Sequence, residues 1–190
     1  SMELMNTENE TEIWSDQHIL NAFLSIHTVH KAFLNGADHS SIDYIKEFNP
    51  IGAIEFYKTS NKVNRKDYKD WDMDNLFQDM DRVLEAWNQK PPNKIGIKTL
   101  VHNDFNSRNV GIRKDGRACI YDWELAMINL PQRDIFEFLA FSLNPEFEGE
   151  RLLSLLNAHY KMTLEYNKKD YSWPDYLTDF QTCGNEFLLT

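Results

Sequence analysis

Leu100 to Glu124 reads L-V-H-N-D-F-N-S-R-N-V-G-I-R-K-D-G-R-A-C-I-Y-D-W-E. Ile97, Leu100 and Val101 are β-forming residues that lead into His102-Asn103-Asp104, and a short polar loop runs on to Asn109. Val110 to Arg113 predicts a strand, Lys114-Asp115-Gly116-Arg117 its turn, and Ala118 to Tyr121 the returning strand. Such a hairpin delivers Asp122 beside the end of the loop. Two carboxylates, Asp104 and Asp122, and one carboxamide, Asn109, are then carried on a single β-turn-β unit.

That set of oxygens suits phosphoryl transfer. A magnesium ion takes hard oxygen ligands, one or two of them from protein and the rest from water and nucleotide phosphates. Asp122 and Asn109 can supply the protein share. Asp104, on the same loop and not needed for metal, can orient an acceptor hydroxyl and take its proton. Asp115 and Asn106 read as ordinary turn formers. His102 reads as a buried brace for the loop, since the neighbouring carboxylate already fills the proton-accepting role. Glu124 is open to two readings, a metal contact or a pairing with a basic neighbour.

His102-x-Asp104-x-x-x-x-Asn109, then Tyr121-Asp122-Trp123-Glu124, then Pro131-x-x-Asp134, resembles the aminoglycoside phosphotransferase/choline kinase-like family. Asp-Trp-Glu in place of Asp-Phe-Gly points toward small-molecule kinases rather than protein kinases. The resemblance implies a protein-kinase-like fold, ATP and Mg²⁺ as cofactors, and a small-molecule hydroxyl as acceptor. It makes Asp104 the catalytic base and Asn109 and Asp122 the metal and nucleotide-side ligands. His102 and Asp134 would brace the catalytic loop. Three linked elements in the right order are a stronger sign than a bare H-x-D-x-x-x-x-N, which recurs by chance.

The chain has 190 residues and a formal charge of −10, with 12 Phe, 8 Tyr and 5 Trp. That length suits one domain or one lobe of a larger fold, and so many aromatics argue for a packed core. The acidic balance argues against a nucleic-acid partner, which demands lysine and arginine stripes. It suits a cationic small substrate, although solubility alone explains such a charge. Cys119 and Cys183 stand apart from each other and read as reduced, small apolar residues of a cytoplasmic protein. No apolar run approaches the roughly 20 residues that span a bilayer, and the acidic, polar start is not a signal peptide.

Ser1-Met2 resembles a tag-cleavage scar, and residues 1–14 read as that scar plus a loose lead-in. Residues 15–190 read as one unit, the C-terminal (large) lobe of the family. Ser15 predicts a helix cap, with Ile19, Leu20, Phe23, Ile26, His30, Phe33 and Leu34 as the apolar face and Gly36 as the stop. His27 and His30 on this helix read as packing residues rather than a metal pair. Ile42 to Phe48 predicts a short helix, and residues 57–71 an exposed loop. Asp72 or Asp74 begins a helix to about Gln89, striped with Leu76, Phe77, Met80, Val83, Leu84 and Trp87 and closed by Pro91-Pro92. Beyond the hairpin, Leu125 to Leu130 reads as a loop. Asp134 begins a helix to Leu143, Glu148 to about Asn167 forms another, and Pro174 opens a last one to near Leu188. The fold class is therefore α+β and mostly α-helical, with a small hairpin bearing the chemistry.

Seven scattered glycines give no G-x-G-x-x-G loop, and no V-A-I-K-like strand precedes the catalytic loop. The N-terminal nucleotide lobe is thus expected to be absent from this stretch, leaving a fragment that is inactive alone and binds ATP poorly. The face meant for that lobe is expected to be apolar and to favour self-association. For the substrate, Trp123, Trp173, Tyr171 and Tyr176 can wall a cation-π pocket, while Asp175, Asp179 and Glu186 can hold ammonium groups. A kinase-like binding or regulatory module without catalysis is the alternative function. A metal-dependent hydrolase built on His102 and Asp104 is weaker, for want of further ligands at metal spacing.

Overall fold

The computed structural model describes residues 14–34, 45–49, 51–52, 55, 59, 73–89, 92–144, 146–167 and 170–187. In chain order these form α1 (Asp16–Ala32), α2 (Met73–Gln89), β1 (Thr99–Val101), a 3₁₀ turn (Ser107–Asn109), β2 (Val110–Ile112) and β3 (Ala118–Ile120). There follow β4 (Met127–Asn129), α3 (Gln132–Ser142), α4 (Gly149–Thr163) and α5 (Trp173–Phe187). The architecture is α+β and helix-rich, with two small antiparallel sheets, β1–β4 and β2–β3. Among the described residues no helix is long and apolar enough to cross a membrane.

Ser15 caps α1, its hydroxyl accepting from the backbone N–H of His18 at 3.2 Å. Ile19, Ala22, Phe23, Ile26, His27 and His30 form the buried face of that helix, at the spacing of one helical stripe. Phe105 from the loop and Phe138 from α3 stack at 4.7 Å, and Trp14 meets Phe138 edge-on at 5.1 Å. Burying a Phe of this kind contributes about 1.5–3 kcal/mol. The loop after β1 is thus fastened to the core by its own Phe105, between the helix that precedes it and the helix that follows.

The expected hairpin is present. Val110 pairs with Ile120, Gly111 with Cys119 and Ile112 with Ala118. Its turn closes through Arg113 N–H to Arg117 O at 2.9 Å and Gly116 N–H to Arg113 O at 2.8 Å, with Gly116 at φ 83. α1 lies against this hairpin, where Asn21 Nδ2 donates to Gly116 O and Ser25 Oγ to Ala118 O.

Two local expectations are corrected. Of Ile42 to Phe48, the described residues 45–48 are not helical, and Glu47 forms a parallel bridge to Ile128. Phe48 N–H donates to Ile128 O at 3.1 Å and Ile128 N–H to Lys46 O at 3.0 Å, so pairing with β4 outweighs the local helical pattern. The stretch Leu125–Leu130 holds β4, which pairs with β1 through Thr99↔Asn129, Leu100↔Ile128 and Val101↔Met127. A three-residue strand carries too little alternation to be legible alone. Of the 57–71 loop only Thr59 is described, and it is helical.

The lead-in 1–13, Gly36, residues 42–44 and Pro91 lie outside the described residues, as do the side chains of Leu76, Phe77, Val83 and Leu84. Met80 and Trp87 of α2 are half-buried. The remaining helices stand within a few positions of expectation.

Segment 92–98 is bound to α5 before β1 begins. Lys94 Nζ bridges to Glu186 Oε1 at 2.7 Å and donates to Asn129 Oδ1 at 2.6 Å, and Asn129 Nδ2 donates to Glu186 Oε2 at 2.8 Å. With every charged atom of this knot paired, a buried carboxylate is tolerated.

Candidate active site

The loop after β1 is held from beneath by Asp134, which is fully buried in the first turn of α3. Its carboxylate does not cap its own helix. Instead Oδ2 accepts from the backbone N–H of His102 and Oδ1 from that of Asn103, both at 2.9 Å. A third donor is His30 Nε2 of α1, 2.9 Å from Oδ2. Asn103 sits at φ 60, a left-handed conformation that costs a non-glycine residue on the order of 1 kcal/mol and persists only where its surroundings impose it. The Asp134 clamp is what imposes it.

His102 joins this loop to the hairpin. Its Nε2–H donates to Tyr121 O at 2.9 Å, which leaves Nδ1 to accept from the backbone N–H of Asp104 at 3.3 Å. The ring is completely buried, and Trp123 packs edge-on against it at 4.6 Å.

Asp104 is fixed at both oxygens. Asn106 Nδ2 donates to Oδ1 at 2.8 Å, and Asn109 Nδ2 donates to Oδ2 at 2.7 Å and to the Asp104 carbonyl at 2.9 Å. Asn106 also caps the 3₁₀ turn through Arg108 N–H at 3.0 Å. With its nitrogen committed, Asn109 has its carbonyl oxygen as the atom able to face a cation. Tyr121 N–H donates to Asn109 O at 3.1 Å, and Tyr121 Oη donates to Arg108 O at 2.5 Å. Asp122, the next residue, is exposed at φ 67, and Glu124 is exposed on the turn beyond it.

Asp104 and Asn109 are bonded to each other at the open end of the hairpin, and Asp122 follows Tyr121, whose backbone N–H donates to Asn109 O. The donor set, one carboxylate and one carbonyl with room around Asp122, fits a divalent ion that takes its other ligands from phosphate and water. Among the described residues no group of three or more His, Cys, Asp and Glu is positioned to hold a metal.

The other substrate candidates are scattered. Trp123 is a wedge against His102, with Nε1 donating to Ile120 O at 3.3 Å. Trp173 stacks on Tyr176 at 5.3 Å and lines a hollow of about 470 Å³ with Glu150, Leu153, Ser154 and Asn157, on the α4–α5 side. Asp175 forms a capping box with Ser172, whose N–H and hydroxyl both donate to Oδ2. Those bonds hold its carboxyl below the usual range.

Asp179 is a buried strut. Ile95 N–H (2.9 Å), Gly96 N–H (2.7 Å) and Tyr171 Oη (2.8 Å) all donate to it. A Cβ on Gly96 would lie 3.0 Å from Asp179 Oδ2, so the approach depends on glycine. Burial pushes the Asp179 carboxyl up. Tyr171, Tyr176 and Glu186 are likewise buried and bonded to protein, which removes the aromatic cage and the ammonium-binding cluster read along the C-terminal segment.

His30, bonded to Asp134, and Glu137, which interacts with Asp104, are neighbours of the loop that its residues alone do not reveal. By its spacing on α1, His30 reads as a helix-face packing residue. Glu137 of α3 is 4% exposed, with Oε2 3.1 Å from Arg133 Nη1 and its carboxyl facing that of Asp104. No signal in the sequence joins His30 to Asp134 across so long a separation. Glu137 offers one faint sign, an acid that interrupts the apolar run Phe136 to Leu143 at its second position.

A profile described as the phosphotransferase enzyme family matches residues 43–170. Among solved structures, a choline/ethanolamine kinase family protein from Mesorhizobium loti aligns with a TM-score of 0.52 at 14% identity, over 98% of this chain and 55% of that one. Choline kinase LicA from Streptococcus pneumoniae aligns with a TM-score of 0.52 at 16% identity, over 100% of this chain and 60% of that one. Amicoumacin kinase hAmiN, in complex with AMP-PNP, Ca²⁺ and Ami, gives a TM-score of 0.53 at 15% identity, over 94% and 54%. At such identities the likeness is one of fold, and the chain spans a little over half the length of these structures. No curated protein sequence matches.

Proposed function

Because the chain belongs to the phosphotransferase enzyme family, we propose that it is the C-terminal lobe of an ATP-dependent kinase that phosphorylates a hydroxyl of a small molecule. An amino alcohol such as choline or ethanolamine, an aminoglycoside or a related amino sugar is the acceptor class. The observation that supports this reading is Asp104 held by the carboxamides of Asn106 and Asn109, with Asp122 one residue beyond the backbone bond from Tyr121 N–H to Asn109 O. The hAmiN complex, with its nucleotide analogue and divalent ion, supports the cofactor assignment of ATP with Mg²⁺.

In this reading the Asp104 carboxylate orients the acceptor hydroxyl and takes its proton as the oxygen attacks the γ-phosphorus. The bond from phosphorus to the bridging oxygen breaks, and ADP leaves. Asn109 Oδ1 and the Asp122 carboxylate would hold Mg²⁺. When bound, the ion offsets negative charge on the phosphates. His102 and Asp134 keep the loop in register, an effect on positioning rather than on proton transfer. The other half of the nucleotide cleft comes from a partner lobe, so the lobe alone turns over little.

The test is ATP consumption by the full-length gene product against choline, ethanolamine and aminoglycosides. Asp104→Asn lowers turnover by roughly 10²- to 10⁴-fold with an unchanged circular dichroism spectrum. Turnover retained in that variant would remove the proposed base.

A further inference from the structure

The hollow on the α4–α5 side has a volume of about 470 Å³, a size suited to a small ligand, and none of Asp104, Asn109 and Asp122 lines it. One wall is Glu150, Leu153, Ser154 and Asn157, whose i, i+3, i+4, i+7 spacing puts them on one face of α4. The other is the indole of Trp173, in the first turn of α5. That indole is firmly held. Tyr176 stacks on it at 5.3 Å with 9° between the planes, and Tyr160 leans on it, also at 5.3 Å. Tyr176 is completely buried and bonded to His159 Nδ1 at 2.8 Å, while Tyr160 Oη donates to Tyr171 O at 3.0 Å. A ring fixed in this way loses little freedom when a ligand arrives.

The facing wall has bonding capacity to spare. Glu150, Ser154 and Asn157 are exposed, and their side chains have no hydrogen bond or ion pair to any described residue. Arg151, beside Glu150, does not neutralise it, because its guanidinium is committed to Asp16 Oδ1 and Trp14 O. Leu153, 51% exposed, adds an apolar surface between them. We propose that this hollow is a second binding site, for a hydroxylated organic ammonium ion of which an amino sugar is the simplest kind. The indole and Leu153 take the carbon skeleton, and the negative face of the indole attracts the ammonium group. Glu150, the one charged side chain among the described residues lining the hollow, accepts a hydrogen bond from that group. Ser154 and Asn157 can each donate and accept, which matches hydroxyl groups on neighbouring carbons. A plain hydrocarbon would cover these polar groups without bonding them, and an anion would be repelled by Glu150.

The experiment is a titration of this chain with glucosamine, at a pH where its amine is charged, followed through the indole N–H signals in proton–nitrogen correlation NMR. Glucose, which lacks the ammonium group, is the matched probe, and Trp173→Phe assigns the Trp173 signal. Glucosamine is expected to shift that signal saturably, with a Kd on the order of 1 mM for so open a site. Glucose binds about 2- to 5-fold more weakly, the worth of one solvent-exposed charge pair. Glu150→Gln weakens glucosamine by the same factor and leaves glucose unchanged, whereas Asn157→Ala weakens both. Added NaCl narrows the gap between the two sugars. Both substituted residues are exposed, so the variants keep the fold. The absence of a saturable shift at Trp173, or a glucosamine affinity indifferent to Glu150→Gln, overturns the proposal. Neither nucleotide nor turnover enters these readouts, so their failure is distinct from failure of the kinase reading, which the Asp104→Asn assay tests.

Discussion

Asp134 supports the loop more directly than any other side chain described, and its removal has a size that can be worked out. In Asp134→Ala three donors lose their acceptor: the backbone N–H groups of His102 and Asn103, and His30 Nε2. A buried donor left unpaired costs about 1–3 kcal/mol. Some of these donors recover water, so the loss comes to about 4 kcal/mol, against a total stability of about 5–15 kcal/mol for a folded domain.

Asp134→Asn keeps one oxygen. With its carbonyl turned to the Oδ2 position it still serves His102 and His30, but its N–H₂ then faces the N–H of Asn103. The loss is about half as large, near 2 kcal/mol, and falls on the residue held at φ 60. Urea unfolding of wild type, Asp134→Ala, His30→Leu and the double variant completes a cycle. Because His30 and Asp134 are both 0% exposed and in direct contact, the coupling should be about 1–2 kcal/mol. A change under about 0.5 kcal/mol for Asp134→Ala, the range of ordinary surface substitutions, would refute the clamp. A coupling of zero would remove His30 from it.

Three further outcomes are expected. Glu137 holds a proton in the folded chain that the unfolded chain releases, because its carboxyl moves from 4.5 up to about 7. Its contribution is complete below pH 4.5 and is lost as pH rises through about 7. At about 1.4 kcal/mol per pH unit this amounts to about 3 kcal/mol, absent from Glu137→Gln when urea midpoints of the two proteins are compared across that window. Gly184→Ala puts a Cβ within 2.9 Å of three atoms of the Phe136 ring, which is itself packed on Phe180 and Phe187. The clash costs about 1–3 kcal/mol, partly offset by alanine's helix preference of about 1 kcal/mol, and a compensating Phe136→Leu restores the melting temperature. Asp175→Ala removes half of a capping box and costs about 1 kcal/mol, while the Asp104 and Asn109 resonances stay where they are.

The features legible in residues were those whose causes are local. Ser15 caps α1 because a hydroxyl reaches its own helix start, and Asp115-Gly116 turns the hairpin because glycine tolerates the left-handed region. Hairpin geometry then carries Asp122 back beside Asn109. What separates two similar residues is the partner each one meets in the folded chain. Asp179 and Asp175 look alike as acids near the C-terminus. Asp179 is a buried strut for Ile95 and Gly96, and Asp175 is a half-buried cap for Ser172. Strand β4 and residues 45–49 are ordered by each other and by β1, and none of these short segments shows a period of its own.

The amino-acid order alone determined the hairpin and the return of Tyr121 to Asn109, because strand register and turn closure act over a few bonds and leave little choice. The tertiary structure decided what holds the loop in place. Asp134 reaches the loop only after α3 docks, His30 reaches Asp134 only after α1 packs across both, and the Glu137 carboxyl is pushed up only when burial removes its water. Desolvation and long-range hydrogen bonding depend on the whole packed chain, and no short stretch of residues contains them.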